Sequence, residues 1–239
     1  MNNLSLDDYD VVMFDLDDTL FDHVQAYSKG LEVAIRQFEH LDDISTSDFQ
    51  TAFTRHHHLL WPKFAGNQMD YQELSRVRME NTLSDVGGEM KGEALLQLVK
   101  AFQASYLDQI KPDRELNDFL ADIQRSVFIG IITNGTVSNA YEKVRRLGLS
   151  GLFPADSVVV SEDVGFSKPD PRIFRHALHR FNASPNRTLF VGDHYHADIL
   201  GAISIGMDTV WVQQIDSSPL IEKPHYIVKR ILELKPLML

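Results

Sequence analysis

From Pro112 onward, short apolar runs alternate with segments of helical spacing, and this alternation restricts the fold more than any other feature of the chain. VFIGIIT, SVVVS, TLFVGD and TVWV are apolar throughout rather than at every second residue. Strands buried on both faces have that character. Between them lie helix-patterned segments. PDRELNDFLADIQ opens on proline, VSNAYEKVRRLGL runs into Gly148, and DPRIFRHALHRF and ADILGAISIG follow. The tail adds a further short strand, YIV, and a short helix. Strands and helices in strict turn predict a parallel sheet with helices on both faces. VVMF, at Val11–Phe14, has the same continuous apolarity and belongs to that sheet. The segments between it and Pro112 show only helical periodicity, with breaks near 41–46, 66–70 and 87–92. They predict a block of about four helices inserted after the first strand. The expected organisation is therefore a doubly wound, Rossmann-like α/β core from residues 1–21 and 111–239, with an all-helical subdomain at 22–110.

The first strand runs straight into Asp15, Asp17 and Asp18. Like charges so close repel, and unpaired charge beside a core is costly, so something must offset them. In open parallel sheets ligands bind beyond the carboxyl ends of the strands, and the other strand ends carry matching chemistry. VFIGII ends in Thr133, Asn134 and Gly135, SVVVS leads to Lys168, and TLFV ends in Gly192 and Asp193, with Asp198 close behind. Carboxylates from two strands can hold a hard cation through oxygen, as Mg²⁺ prefers. A hydroxyl, backbone N–H groups and a lysine suit a phosphoryl group. Together they describe phosphoryl transfer.

DLDDT at 15–19, TNG at 133–135, KPDP at 168–171 and GDHYHAD at 192–198, in that order, resemble the four motifs of the haloacid dehalogenase-like phosphatases. The helical insertion falls where that family carries its helical cap. The resemblance implies a Mg²⁺-dependent phosphomonoesterase acting on a small phosphorylated metabolite. Asp15 would be the nucleophile that forms an aspartyl-phosphate, and Asp17 the acid and then the base. Thr133 and Lys168 would hold the phosphoryl oxygens, helped by the backbone at Asn134 and Gly135. The metal would sit on Asp15, the backbone carbonyl of Asp17 and Asp193, supported by Asp198. An acid at position 17 separates the chain from the dehalogenase branch, which lacks it. FDLDDTL with ITNG looks most like the pyrimidine nucleoside 5′-monophosphatases and is similar also to the N-acylneuraminate-9-phosphatases. A phosphoglycolate-type sugar phosphatase, a phosphosugar mutase, a phosphoacceptor receiver domain and a binding protein with a dead site are the alternatives. The receiver reading fails on size, since such domains are about half this length.

Other residues divide between chemistry and packing. Asp18 should serve a turn. His56, His57 and His58 are adjacent on a helix and point in different directions, so they cannot chelate from one face. His194 and His196 could pack locally or line the pocket. Trp61, Phe64, Tyr71, Arg76 and Arg78 lie in the helical block, and Trp61 and Arg78 are the candidates for contact with the leaving group. A formal net charge of −11 argues against nucleic-acid polymers and anionic membranes as partners. With no cysteine there is neither disulfide nor thiol chemistry. A polar, acidic N-terminus and the lack of a long apolar run predict a soluble, cytoplasmic protein.

Overall fold

The computed structural model describes residues 4–213 and 221–238. Along the chain come β1 (Val11–Phe14), α1 (His23–Ile35), α2 (Thr46–Ala65), α3 (Tyr71–Asp85) and α4 (Gly92–Gln109). Then follow α5 (Arg114–Gln124), β2 (Phe128–Thr133), α6 (Val137–Arg146), β3 (Val158–Val160), α7 (Ser161–Val164) and α8 (Pro171–Phe181). The chain continues with β4 (Thr188–Gly192), a π-helical turn at Tyr195–Leu200, α9 (Gly201–Ile203), β5 (Asp208–Val212), β6 (Tyr226–Val228) and α10 (Lys235–Met238). These elements form two compact units, one of residues 1–22 and 111–239 and the other His23–Ile110. Among the described residues no helix is long and apolar enough to cross a membrane.

The first unit is the expected α/β core. Its strands pair in the order β3-β2-β1-β4-β5-β6, all parallel. β1 lies between β2 and β4, with Val11 level with both Phe128 and Thr188. Its four residues are wholly buried because helices cover both faces. Phe174, Ile173 and Ala177 of α8 pack on Val11, Met13 and Phe190 in one of these layers. The chain winds outward from β1 through β2 to β3, then restarts at β4 on the other side. The order therefore reverses between β1 and β4, and the carboxyl ends of strands at such a switch point are where open parallel sheets bind ligands. The segment ADILGAISIG, expected as one regular helix, is a π-turn followed by a single short α turn.

The second unit holds only α1 to α4 as regular helices. Its core is aromatic and aliphatic: Leu31, Phe49, Phe53, Leu74, Met79, Leu83, Leu98 and Phe102 are all buried. α1 and α4 pack at close range because Gly30 has no side chain, and a Cβ there would lie 2.4 Å from Tyr106 Cα. Two of the helices start on a capping side chain: Ser45 accepts from the Asp48 N–H and Asp70 from the Glu73 N–H, each closing an N-terminus. His56–His58 fall on α2 and diverge. His56 pairs with Asp85, while His57 turns to Arg78.

Candidate active site

Asp15 continues β1 past its last paired residue, its N–H bonded to the Val191 carbonyl at 2.8 Å. The backbone then turns sharply. Asp18 adopts a left-handed φ of 56°, a conformation Asp tolerates better than most residues, and Leu20 N–H bonds back to Leu16 O at 3.0 Å. Asp18 is thus the turn residue. Asp17 emerges from this turn and meets a partner from α6, for Lys143 Nζ lies 2.7 Å from each of its carboxylate oxygens.

Thr133, the buried last residue of β2, stands on the strand beside β1. The next residue locks two loops together. Asn134 Nδ2 donates to the Lys168 carbonyl at 3.0 Å, and Lys168 N–H donates to Asn134 Oδ1 at 2.8 Å. The Asn134 side chain is committed to this clamp, which holds the lysine loop against the end of β2. Gly135 takes a φ of 148°, in the region that favours glycine. Its N–H donates to Ser161 Oγ at 2.9 Å. Both residues shape the loop around Thr133.

Lys168 is buried, its ammonium paired with Asp15 and 2.7 Å from Asp198 Oδ1. Asp198 is only 1% exposed and reaches the site from beneath β4. Its Oδ2 accepts the His194 N–H at 3.0 Å, and it passes under Gly192, where a Cβ would stand 2.5 Å from that oxygen. His194 caps the following turn, its Nδ1 accepting the Ala197 N–H at 3.1 Å, so its role is local. Asp193 is steadied on two sides. Trp211 Nε1 of β5 donates to its carbonyl at 2.7 Å, and Thr19 Oγ1 donates to Oδ1 at 3.4 Å.

Asp15, Asp193 and Asp198 each place a carboxylate oxygen within 4.8 Å of the others. Three carboxylates against the one ammonium of Lys168 leave two negative charges over. Burial raises the proton affinity of both outer members. It pushes Asp15 up to about 7, against the opposing pull of Lys168, and Asp193 up to about 8, with Asp15 and Asp198 adding to the effect. Burial alone would lower Lys168, but the Asp15 and Asp198 carboxylates more than offset it and hold the ammonium charged. Asp198 Oδ1 is buried against the Lys168 ammonium alone. An all-oxygen donor set with two charges in excess fits a small divalent cation such as Mg²⁺.

The cluster unites Asp15, Asp193, Asp198 and Lys168, with Asp17 and Thr133 on adjoining strand ends. Trp61 and Arg78 belong to the helical unit. The half-buried Trp61 ring lies 5.1 Å from His57 and 5.2 Å from Phe64, and the Arg78 guanidinium is buried 4.4 Å from the Phe53 ring. Sequence reasoning missed Lys143. Its signal was position, since Ala140, Lys143 and Val144 share the buried face of α6 and a lysine there needs a partner. Ser161 and Trp211 were missed also, and nothing local marks them; Thr19 stood in the DLDDT motif, but its bond to Asp193 was not expected.

The geometry agrees with comparisons to known proteins. The family model described as haloacid dehalogenase-like hydrolase matches residues 9–206. YfnB of Bacillus subtilis, described as a HAD-hydrolase, is 30% identical over 95% of this chain and 94% of its own. Its crystal structure bound to magnesium superposes with a TM-score of 0.80 at 26% identity, covering 96% of this chain and 98% of that one. The pyrimidine 5′-nucleotidase YjjG of Escherichia coli is 31% identical over 85% of this chain and 86% of its own. The glyceraldehyde 3-phosphate phosphatase of Pyrococcus furiosus is 30% identical over 84% and 79%. The chain belongs to the haloacid dehalogenase-like hydrolases.

Proposed function

We propose that the protein is a Mg²⁺-dependent phosphomonoester hydrolase that works through an aspartyl-phosphate on Asp15 and takes a pyrimidine nucleoside 5′-monophosphate as substrate. The observation that carries the chemistry is the pairing of two distinct carboxylate environments at one strand end. Asp15 lies in the buried cluster with Lys168, and Asp17 stands apart against Lys143. One carboxylate suits attack and the other proton transfer.

An Asp15 oxygen attacks phosphorus as the bond from phosphorus to the leaving oxygen breaks. Lys168, neutralising Asp15 and reaching toward the phosphoryl oxygens, reduces the repulsion between an anionic nucleophile and an anionic phosphate. The Thr133 hydroxyl and the Asn134 backbone orient the phosphoryl group. Asp17 gives its proton to the departing alkoxide. In the second half-reaction it takes a proton from water, whose oxygen bonds to phosphorus while the bond to Asp15 breaks and phosphate leaves. The Asp17 carboxylate bound to Lys143 is the form that second step requires. Mg²⁺, held by Asp15, the Asp17 carbonyl and Asp193 with support from Asp198, would supply the positive charge that screens both the carboxylates and the phosphate.

Likeness to the Escherichia coli pyrimidine 5′-nucleotidase supports the substrate. A second reading, a phosphatase for a three-carbon sugar phosphate, draws support from the Pyrococcus furiosus relative at 30% identity. The test is phosphate release, with Mg²⁺ present, from pyrimidine and purine nucleoside monophosphates, glyceraldehyde 3-phosphate, phosphoglycolate and N-acylneuraminate 9-phosphate. A kcat/KM highest for pyrimidine nucleotides is expected. A preference for glyceraldehyde 3-phosphate would select the second reading, and inertness to every phosphomonoester would overturn both.

A further inference from the structure

Asp193 is the least restrained member of the acidic cluster. Asp15 and Asp198 are buried and share the Lys168 ammonium, which pairs with neither oxygen of Asp193. Asp193 is only half-buried, and among the described residues its carboxylate receives one hydrogen bond, the long one from Thr19 Oγ1 at 3.4 Å. Carboxylates gathered within 4.8 Å of one another repel. Of the three, Asp193 is the one with open space to swing into. Something other than its side-chain contacts must keep it facing inward.

The backbone supplies that hold. β4 ends at Gly192, which stands level with Trp211 of β5. Asp193 therefore lies one residue past the paired region, where the main-chain ladder between β4 and β5 has stopped. The Trp211 side chain extends the ladder by one bond, its Nε1–H donating to the Asp193 carbonyl at 2.7 Å. The donor is itself fixed. Trp211 is 6% exposed, and its ring lies 5.1 Å from that of Tyr195. The Tyr195 hydroxyl in turn donates to the Glu222 carbonyl at 2.8 Å and accepts the Glu222 N–H at 2.9 Å. A buried indole N–H needs an acceptor, so the bond to Asp193 persists for as long as the ring stays buried. Phenylalanine would fill most of the same space and leave that carbonyl unheld.

Resting on the Mg²⁺-dependent phosphomonoesterase reading, we propose that Trp211 is a positioning residue for the metal centre, whose indole N–H fixes the backbone at Asp193 so that the carboxylate faces Asp15 and Asp198 before a cation arrives. Without that bond, Mg²⁺ would first have to draw Asp193 back against the repulsion of two carboxylates. Groups that hold a metal ligand in place typically account for about 10–100-fold in affinity.

Two measurements test this, both with Mg²⁺ alone and no substrate. Calorimetric titration of Trp211→Phe is expected to show Mg²⁺ bound about 10–100-fold more weakly than in the wild type, with the fold retained by circular dichroism. A folded Trp211→Phe protein that binds Mg²⁺ at wild-type strength overturns the proposal. Should the variant fail to fold, the wild type decides by itself. The chain has two tryptophans, Trp61 and Trp211, so its ¹H–¹⁵N spectrum holds two indole signals, and Trp61→Phe identifies which belongs to Trp211. That signal is expected to move as Mg²⁺ is added and to saturate with the calorimetric curve. An indole signal of Trp211 that stays in place through the titration overturns the proposal. A wild type that binds no Mg²⁺ overturns the metal centre and this role with it. Mg²⁺ binding that depends on Trp211 in a protein inert to every phosphomonoester would refute the hydrolase reading alone.

Discussion

Gly192→Ala tests how the acidic cluster is built. The added Cβ would stand 2.5 Å from Asp198 Oδ2, 2.6 Å from its Cβ and 2.7 Å from its Cγ. Ordinary contact begins at 3.4 Å, so the carboxylate must shift by roughly 0.9 Å, a distance on the scale at which misplacement costs about 10²-fold in rate. The shift pulls Oδ2 from the His194 N–H and Oδ1 from Lys168. Overpacking of this kind costs ~1–3 kcal/mol, and a chain of this length loses about 2–4 °C in Tm for each kcal/mol. Phosphate release, a Mg²⁺ titration and a thermal melt should show kcat lowered by about 10²-fold, weaker Mg²⁺ dependence and a modestly lower Tm. Wild-type kcat and Mg²⁺ response, whatever the Tm, would refute the claim that Asp198 must lie against Gly192 for the site to work.

Asp15→Asn should abolish turnover with the fold intact by circular dichroism, because an amide is nearly isosteric but a poor nucleophile; residual activity near wild type would reject the covalent route. Lys143→Met frees Asp17 from its 2.7 Å partner and should slow the steps that move a proton, toward the ~10²–10⁴-fold range of general acid–base groups, while Mg²⁺ affinity by calorimetry holds. Activity should vanish in EDTA and return with Mg²⁺ but poorly with Ca²⁺, whose looser coordination would misplace Asp15; full activity after metal stripping would remove the cation from the scheme. Gly30→Ala should lower the Tm through a clash with the Tyr106 backbone, at ~1–3 kcal/mol, and an unchanged melt would show that α1 and α4 have room to separate.

The parallel sheet was legible because its strands are apolar on both faces, a pattern that only burial between helix layers tolerates. Asp15, Lys168, Asp193 and Asp198 were legible because each follows a strand, and a parallel sheet gathers such ends on one edge. Lys143 was not, since its place on the buried face of α6 shows that it needs a partner but not which one. Its partner becomes known only when α6 is laid over β1. The clamp from Asn134 to the Lys168 backbone was hidden for a related reason. Asparagine after a strand suggests a loop residue, and no local pattern reveals which loop it fastens. The π-turn at Tyr195–Leu200 also escaped, because π and α turns share their residue preferences. There the spacing of Asp198 from Gly192 decides the geometry.

β1 has a predicament in time as well as in space. Val11 pairs with Phe128 and Thr188, residues that do not exist when β1 leaves the ribosome. At about 5–20 residues per second, the apolar VVMF segment waits on the order of ten seconds for its first partner, with the whole helical unit emerging in between. An unpaired, uncharged β-forming run is the kind of segment that nucleates aggregation. Asp15, Asp17 and Asp18 directly behind it, with Asp7, Asp8 and Asp10 in front, repel a second such strand throughout that wait. The carboxylates at the end of β1 thus also protect the nascent chain, and substituting these six aspartates by amides should cost soluble yield.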